Sequence, residues 1–244
     1  MPTENPRRCH DGGAFNSRNI TMPVSWITIT NFGGAAVMLP AAAAITAWLL
    51  LGRVWRMALA WALLFGIGAL LVALSKMLFL GWGIGIRAID FTGISGHAML
   101  AAAVFPTVAH LVLQKRSPHV RLCGAALALA LSLGVAVSRV ALIAHSVSEA
   151  VAGCALGFAV SAAFIHLTRK LEAPRLSALP MALSLFVLIM LLHGERLPTQ
   201  RWITDAALQL SGREHPFRRA RWKASGLPGV TPAITRQPAR LPHT

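Results

Sequence analysis

Residues 138–149 read Ser-Arg-Val-Ala-Leu-Ile-Ala-His-Ser-Val-Ser-Glu and lie between two long apolar runs. Ionisable groups are costly in such surroundings, so Arg139, His145 and Glu149 need partners or a function there. His145 and Glu149 are four residues apart, so on a helix they share one face, where the carboxylate can hold the imidazole ring. Arg139 adds a planar cation that suits an oxyanion or a phosphate. We therefore take this stretch as the junction of two helices and as a candidate site.

The composition on either side of this stretch is that of an integral membrane protein. The chain has 244 residues, of which 55% are hydrophobic and only 13% are charged, and its mean hydropathy is +0.61. A soluble domain is nearer to a quarter charged. The three cysteines give neither an even number for disulfides nor a Cys-x-x-Cys pair. The sequence thus predicts an all-α fold, a polytopic bundle of transmembrane helices.

Six apolar runs are candidates for these helices. Each has roughly the 17–25 residues that a helix needs to cross about 30 Å of hydrocarbon. The runs cover about 33–51, 57–75, 98–114, 122–137, 146–168 and 176–193. We expect a six-span membrane domain at 32–193, a polar N-terminal segment at 1–31 without a cleaved signal peptide, and a basic C-terminal tail at 194–244.

Counting the spans also predicts how the polar residues are distributed between the two membrane faces. With six spans, Lys76, His97, Arg139 and His145 all lie on one face. The other face receives eight basic residues in short loops: Arg53, Arg56, Lys115, Arg116, Arg121, Arg169, Lys170 and Arg175. By the positive-inside rule the second face is cytoplasmic. We therefore expect a protein of the bacterial inner membrane whose site faces the periplasm.

The C-terminal tail carries much of the basic charge. The whole chain has 23 Lys and Arg against 8 acids, a net charge of +15. Residues 200–222 interleave aromatic and apolar side chains with basic ones, which is typical of a helix on a membrane surface. Beyond Gly226 the Pro- and Thr-rich sequence fits disorder equally well. The expected partners of the tail are anionic lipid headgroups, rather than nucleic acid.

The predicted common face collects several groups that bind anions. They are Lys76, Arg87, Ser95-Gly96-His97, Ser138-Arg139, His145 and Glu149. The starts of two helices add free backbone N–H groups, so the face suits a multiply charged anion such as phosphate. One histidine as nucleophile and another as general acid is enough for phosphoryl transfer without a metal.

These motifs resemble those of the type 2 phosphatidic acid phosphatase (PAP2) superfamily of membrane lipid phosphatases. Ser138-Arg139, five residues, His145, three residues and then Glu149 is similar to its third motif, Ser-Arg-x5-His-x3-Asp, with Glu in place of Asp. Ile94-Ser95-Gly96-His97 is similar to its second motif, Pro-Ser-Gly-His. Lys76 and Arg87 are similar to its first, Lys-x6-Arg-Pro, although ten residues separate them here and Ala88 replaces Pro.

The resemblance implies a role for each of these residues. His145 would attack phosphorus and form a phosphohistidine, Glu149 would orient its ring, and His97 would protonate the leaving oxygen and later activate water. The remaining residues would bind the phosphate: Lys76, Arg87, Ser95, Gly96, Ser138 and Arg139. The resemblance implies no metal and no other cofactor. The expected substrate is a lipid phosphate or diphosphate, and the sequence does not name the lipid.

Other interpretations of the same residues stay open. The protein could keep the fold and bind a lipid phosphate without turning it over, or it could hand the phosphoryl group to another lipid. His145 and Glu149 could also form a buried structural pair. A metal site is less favoured, because the His-Glu-x-x-His spacing of zinc peptidases is absent from the sequence.

Overall fold

The computed structural model describes residues 24–171, 178–192, 194–195 and 197–224. These residues form nine α-helices, a short 3-10 turn at Arg87–Ile89 and no β-sheet. The helices are α1 Val24–Phe32, α2 Ala35–Leu51, α3 Trp55–Trp82, α4 Gly96–Leu113, α5 Pro118–Ala141, α6 Val147–Thr168, α7 Ala178–Leu192, α8 Thr199–Ser211 and α9 Arg219–Ala224. Our expectations for residues 1–23, for Arg175 and for the tail beyond Ala224 concern residues outside this description.

The all-helical membrane fold predicted from the sequence is confirmed, but the number six is not. Within the described ranges, five segments are long and apolar enough to cross a membrane: Trp26–Leu51, Trp55–Trp82, Gly96–Leu113, Pro118–Ala141 and Val147–Thr168. Helix α7 has 15 residues, about 22 Å of helix. That length falls short of a hydrocarbon core of about 30 Å, so a complete sixth span is not established.

The first span begins earlier than the sequence predicts. All of helix α1 except Phe32 lies within the segment assigned as polar, and Trp26–Leu51 together make one candidate span of 26 residues. The hydroxyl residues of α1 lower its apolar content, which is why the pattern alone starts the span at about residue 33. One of them, Thr30, is buried in the bundle.

Helices α4 and α6 pack against each other at backbone distance. Gly153 and Gly157 lie four residues apart on α6 and face α4. A Cβ atom at Gly153 would come within 2.5 Å of the Ser95 carbonyl oxygen, and one at Gly157 would overlap the carbonyl oxygen of Met99. Small residues at this spacing let membrane helices approach closely. The contact fixes the start of α4 beside the start of α6.

The C-terminal helices return to the same end of the bundle. Helix α8 packs on the last turns of α3, where Ala207 is buried and its carbonyl oxygen lies 3.1 Å from the Cβ position of Gly81. Further along, the backbone N–H of Phe217 donates to the carbonyl of Leu80 at 2.9 Å. The described tail residues 197–224 are thus folded onto the bundle.

Candidate active site

A cavity of about 690 Å³ lies at the end of the bundle where α4 and α6 begin. Its polar lining includes Lys76, Thr92, Gly96, His97, Arg139, His145, Gln200, Arg218 and Arg219. Its apolar lining includes Leu39, Val72, Phe79, Leu100, Ile203 and Phe217. Two imidazoles and four cations, from α3 to α6 and from the C-terminal segment, therefore share one space with hydrocarbon side chains.

His145 and Glu149 form a close pair at the start of α6. The distance between His145 Nδ1 and Glu149 Oε2 is 2.7 Å, and the Glu149 side chain has no exposed surface. Ser146 caps the helix, and its backbone N–H donates to the same carboxylate oxygen at 3.2 Å. Because a carboxylate only accepts, Nδ1 carries the hydrogen, and the lone pair of the neutral ring is then on Nε2.

The second oxygen of Glu149 accepts hydrogen bonds from two other parts of the chain. The backbone N–H of Thr92 donates to Oε1 at 2.7 Å, and the Thr92 hydroxyl also donates to it. Arg219 Nη2 donates to the same atom at 2.5 Å. A buried carboxylate is stable only when such donors replace its water. Both oxygens of the carboxylate are therefore hydrogen-bonded, which restrains its orientation toward the His145 ring.

The turn between α5 and α6 explains the spacing of Arg139 and His145. The carbonyl oxygen of Arg139 accepts from the backbone N–H groups of Ala144 at 3.1 Å and His145 at 3.2 Å. Ile143 between them has a left-handed backbone, with φ at 54°. Such a conformation is unfavourable for a β-branched residue and needs support from its surroundings. Five intervening residues are thus what this tight turn requires to bring both side chains to the cavity.

Burial is the main reason why the pKa of His145 lies below that of an ordinary histidine, and the cations Lys76 and Arg139 lower it further. The hydrogen bond and the charge of Glu149 act in the opposite direction but do not outweigh burial. A lowered pKa keeps the imidazole neutral near pH 7. The neutral ring is the form in which Nε2 can act as a nucleophile.

The second predicted motif lies at the start of α4. His97 and Gly96 line the cavity, and the backbone N–H of Ser95 donates to the carbonyl of Glu149 at 3.1 Å. The Ser95 hydroxyl is buried, and no hydrogen-bond partner for it occurs in the described ranges. Lys76 reaches the same space from α3, and its ammonium donates to Gln200 Oε1 at 3.0 Å.

Arg139 also lines the cavity. Its Nη1 donates to the Thr30 hydroxyl at 3.1 Å. Its Nε is buried, and none of the described residues accepts a hydrogen bond from it. The guanidinium adds positive charge to the cavity wall, which suits an anion.

Three of the residues predicted to bind phosphate do not line the cavity: Arg87 and the buried Ser95 and Ser138. The hydroxyl of Ser138 is buried and donates to the Val135 carbonyl of its own helix at 2.6 Å. Arg87 lies in the link after α3, where its guanidinium stacks over the Trp222 ring at 5.3 Å from the ring centre. Ten residues separate Lys76 from Arg87, compared with six in the family motif. Arg87 therefore lies beyond the end of α3 and away from the cavity.

Other residues of the site were not predicted from the sequence. Thr92 binds Glu149 from the loop before α4, and Gln200, Arg218 and Arg219 come from the C-terminal tail. Arg219 lies 70 positions from Glu149 in the chain. The only available signal was the mixture of basic and aromatic residues in the tail, which does not indicate a contact with the site.

The described residues offer no ready metal site. Among residues 24–171, 178–192 and the described part of 194–224, no three side chains of His, Cys, Asp or Glu are grouped closely enough to hold a metal ion. The cavity instead offers hydrogen-bond donors and positive charge.

Comparisons with known proteins agree with the motifs. Residues 88–173 match the family model of the PAP2 superfamily. A Klebsiella pneumoniae protein described as "Uncharacterized 22.5 kDa protein in cps region" is 38% identical over 201 residues, which cover 80% of this chain and 96% of that protein. No solved structure matches the chain significantly. The residues matched by the family model, 88–173, include His97, His145 and Glu149, but not Lys76 or the C-terminal segment.

Proposed function

The chain belongs to the PAP2 superfamily, and on that premise we propose that it is a membrane phosphatase acting on lipid phosphates or diphosphates through a phosphohistidine. The observation that carries the proposal is the shared cavity: His97 and His145 line it together with Lys76 and Arg139. A buried carboxylate holds His145 Nδ1, so that Nε2 is the atom left to react.

The proposed reaction has two steps. In the first, the Nε2 lone pair of His145 attacks phosphorus, the bond to the lipid oxygen breaks, and His97 gives its proton to that oxygen. In the second, His97 takes a proton from water, the water oxygen attacks the phosphohistidine, and the P–N bond breaks to release phosphate. Lys76 and Arg139 would stabilise the charge on the phosphoryl oxygens in both steps.

The lining of the cavity supports an amphiphilic substrate. Leu39, Val72 and Leu100 line it beside the cations, and long apolar helices surround it. A lipid could place its phosphate among the cations while its tail stays in apolar surroundings. A soluble phosphate ester would gain nothing from the apolar lining. We propose that the reaction occurs on the periplasmic side of a bacterial inner membrane.

The first prediction tests the two histidines. We expect His145→Ala to abolish phosphate release and His97→Ala to reduce it by about 100-fold or more, since a positioned general acid contributes about 10²–10⁴-fold. The measurement is phosphate release from a panel of phospholipid and isoprenoid mono- and diphosphates by purified protein in detergent with EDTA. His166→Ala is the matched control, because His166 is exposed near the far end of α6 and should remain active.

The same assay decides between the proposed function and its alternatives. Undiminished turnover by His145→Ala would rule out the phosphohistidine. Binding of a lipid phosphate without release, across the whole panel, would indicate a non-catalytic member of the family. Phosphate that appears on an added acceptor lipid, rather than in solution, would indicate a phosphotransferase with the same covalent step.

A further inference from the structure

The C-terminal segment 199–224 contributes to the site although it lies outside the residues that match the family model. Arg219, at the start of α9, binds the buried Glu149 carboxylate through Nη2. The same nitrogen donates to the Thr92 hydroxyl at 2.9 Å. Arg219 Nη1 lies 3.8 Å from Asp90 Oδ2. One guanidinium therefore connects α9 to the loop before α4 and to the residue that orients His145.

The position of α9 is set by packing against the link after α3. The Trp222 ring is buried and meets Phe79 edge to face, with ring centres 5.5 Å apart. The Trp222 ring occupies the space that a side chain at position 85 would need, because a Cβ on Gly85 would lie 2.9 Å from the ring. The Arg87 guanidinium also lies over the Trp222 ring, 5.3 Å from the ring centre. The arginine first expected to bind phosphate thus helps to hold the helix that carries Arg219.

We propose that Arg219 is a positioning residue for the reaction of His145 and acts through Glu149. This proposal rests on the proposed function. Glu149 Oε2 faces the ring and Oε1 faces Arg219, so the guanidinium fixes the carboxylate that in turn fixes the imidazole. Glutamate has one more rotatable bond than the aspartate of the family motif. The contact with the Arg219 guanidinium restrains that extra freedom.

The kinetic test compares Arg219→Ala, Arg219→Lys and the control Arg201→Ala. Arg201 is exposed on α8 and is not part of the cavity lining. We expect Arg219→Ala to lower kcat by about 10- to 100-fold, as for residues that support a reacting side chain from behind, and to change KM by less than about threefold. Arg219→Lys should restore only part of kcat. It keeps the positive charge but lacks the planar guanidinium, which can donate to several acceptors at once. Arg201→Ala should behave as the wild type.

A double-mutant cycle separates positioning from a merely structural role. If Arg219 acts through Glu149, its replacement by Ala should change kcat by less than about twofold when Glu149 is already Gln. Equal losses in both backgrounds would overturn the proposal. A rise in KM without a fall in kcat would also overturn it, because that result assigns Arg219 to direct phosphate binding.

A spectroscopic measurement distinguishes failure of this proposal from failure of the proposed function. In protein labelled with ¹⁵N-histidine, the Nδ1–H signal of His145 is identified by its loss in His145→Ala. Arg219→Ala should shift or broaden that signal, while Arg201→Ala should leave it unchanged. If the wild type releases no phosphate, the proposed function fails and this signal still tests the positioning. An unchanged signal in Arg219→Ala would refute the positioning, whatever the turnover.

Discussion

At the residue scale, the buried carboxylate of Glu149 organises the site. It has no exposed surface and accepts from a ring nitrogen, two backbone N–H groups, a hydroxyl and a guanidinium. The donors come from three separate stretches of chain, at Thr92, at His145–Ser146 and at Arg219, so the carboxylate ties those stretches together. Its negative charge also favours a protonated ring at His145 and opposes the effect of burial. The reactivity of His145 therefore depends on a balance between these two influences.

The pH dependence of catalysis should report this balance. Since burial lowers the pKa of His145, we expect the acid limb of kcat/KM to lie below the pKa of an ordinary histidine. Glu149→Gln removes a charge and weakens a hydrogen bond, both of which raise this pKa. The pKa then falls further, protonation sets in at lower pH, and the acid limb moves to lower pH. We expect kcat itself to fall by about tenfold or more, because the ring loses its anionic partner.

This prediction is checked by pH–rate profiles of the wild type and of Glu149→Gln. An acid limb that moves to higher pH in the variant would contradict it. His166→Ala again serves as the control and should keep the wild-type profile. A shared shift in both variants would point to an effect of detergent or lipid on the assay.

At the element scale, the α4–α6 contact decides where the two histidines stand. His97 lies in the first turn of α4, and His145 lies just before α6. The helices touch through Gly153 and Gly157, whose missing side chains let the α4 backbone approach. One added methyl group at this contact should displace α4 relative to α6 and so change the positions of both histidines, because tightly packed elements shift as units.

We predict that Gly157→Ala destabilises the protein by about 1–3 kcal/mol, the usual cost of overpacking, and reduces turnover. The added methyl group would meet the Met99 carbonyl and the Ala102 side chain. Gly134→Ala is the matched control, since beyond its chain neighbours and its own helix backbone no atom of the described residues lies within 4 Å of a Cβ there. The check is the midpoint of thermal unfolding in detergent. Equal midpoints for the two variants would show that the contact is looser than described.

At the scale of the whole molecule, the two ends of the bundle differ in role. The links that join α2 to α3 and α4 to α5 carry Arg53, Lys115 and Arg116 and lie at the ends of these helices remote from the cavity. The cavity end carries the catalytic candidates together with α8 and α9. On the positive-inside rule we propose that the cavity faces the periplasm.

Cysteine labelling in intact cells tests this orientation. In a background that lacks Cys9, Cys123 and Cys154, we expect Ala88→Cys, exposed at the cavity end, to react with a membrane-impermeant thiol reagent. Ser117→Cys, exposed in the α4–α5 link, should react only after permeabilisation. The opposite pattern would place the active site in the cytoplasm and the basic short loops outside.

The sequence by itself determined the membrane class, the helical fold and the family. Hydrophobic runs of the right length can only be helices in lipid, because every backbone polar group must be satisfied within the segment. The motif around His145 was readable for a similar local reason. A tight turn fixes the spacing of Arg139 and His145, and one turn of helix fixes that of His145 and Glu149.

Only the tertiary structure decided which distant groups complete the site. Thr92 and Arg219 reach Glu149 through contacts 57 and 70 residues apart in the chain, and no periodic pattern encodes such contacts. Arg87 matched a motif by type and still lies outside the cavity, stacked on Trp222. The physical reason is that hydropathy and helix geometry act over a few turns, whereas the place of α9 follows from how Trp222 packs against a folded surface.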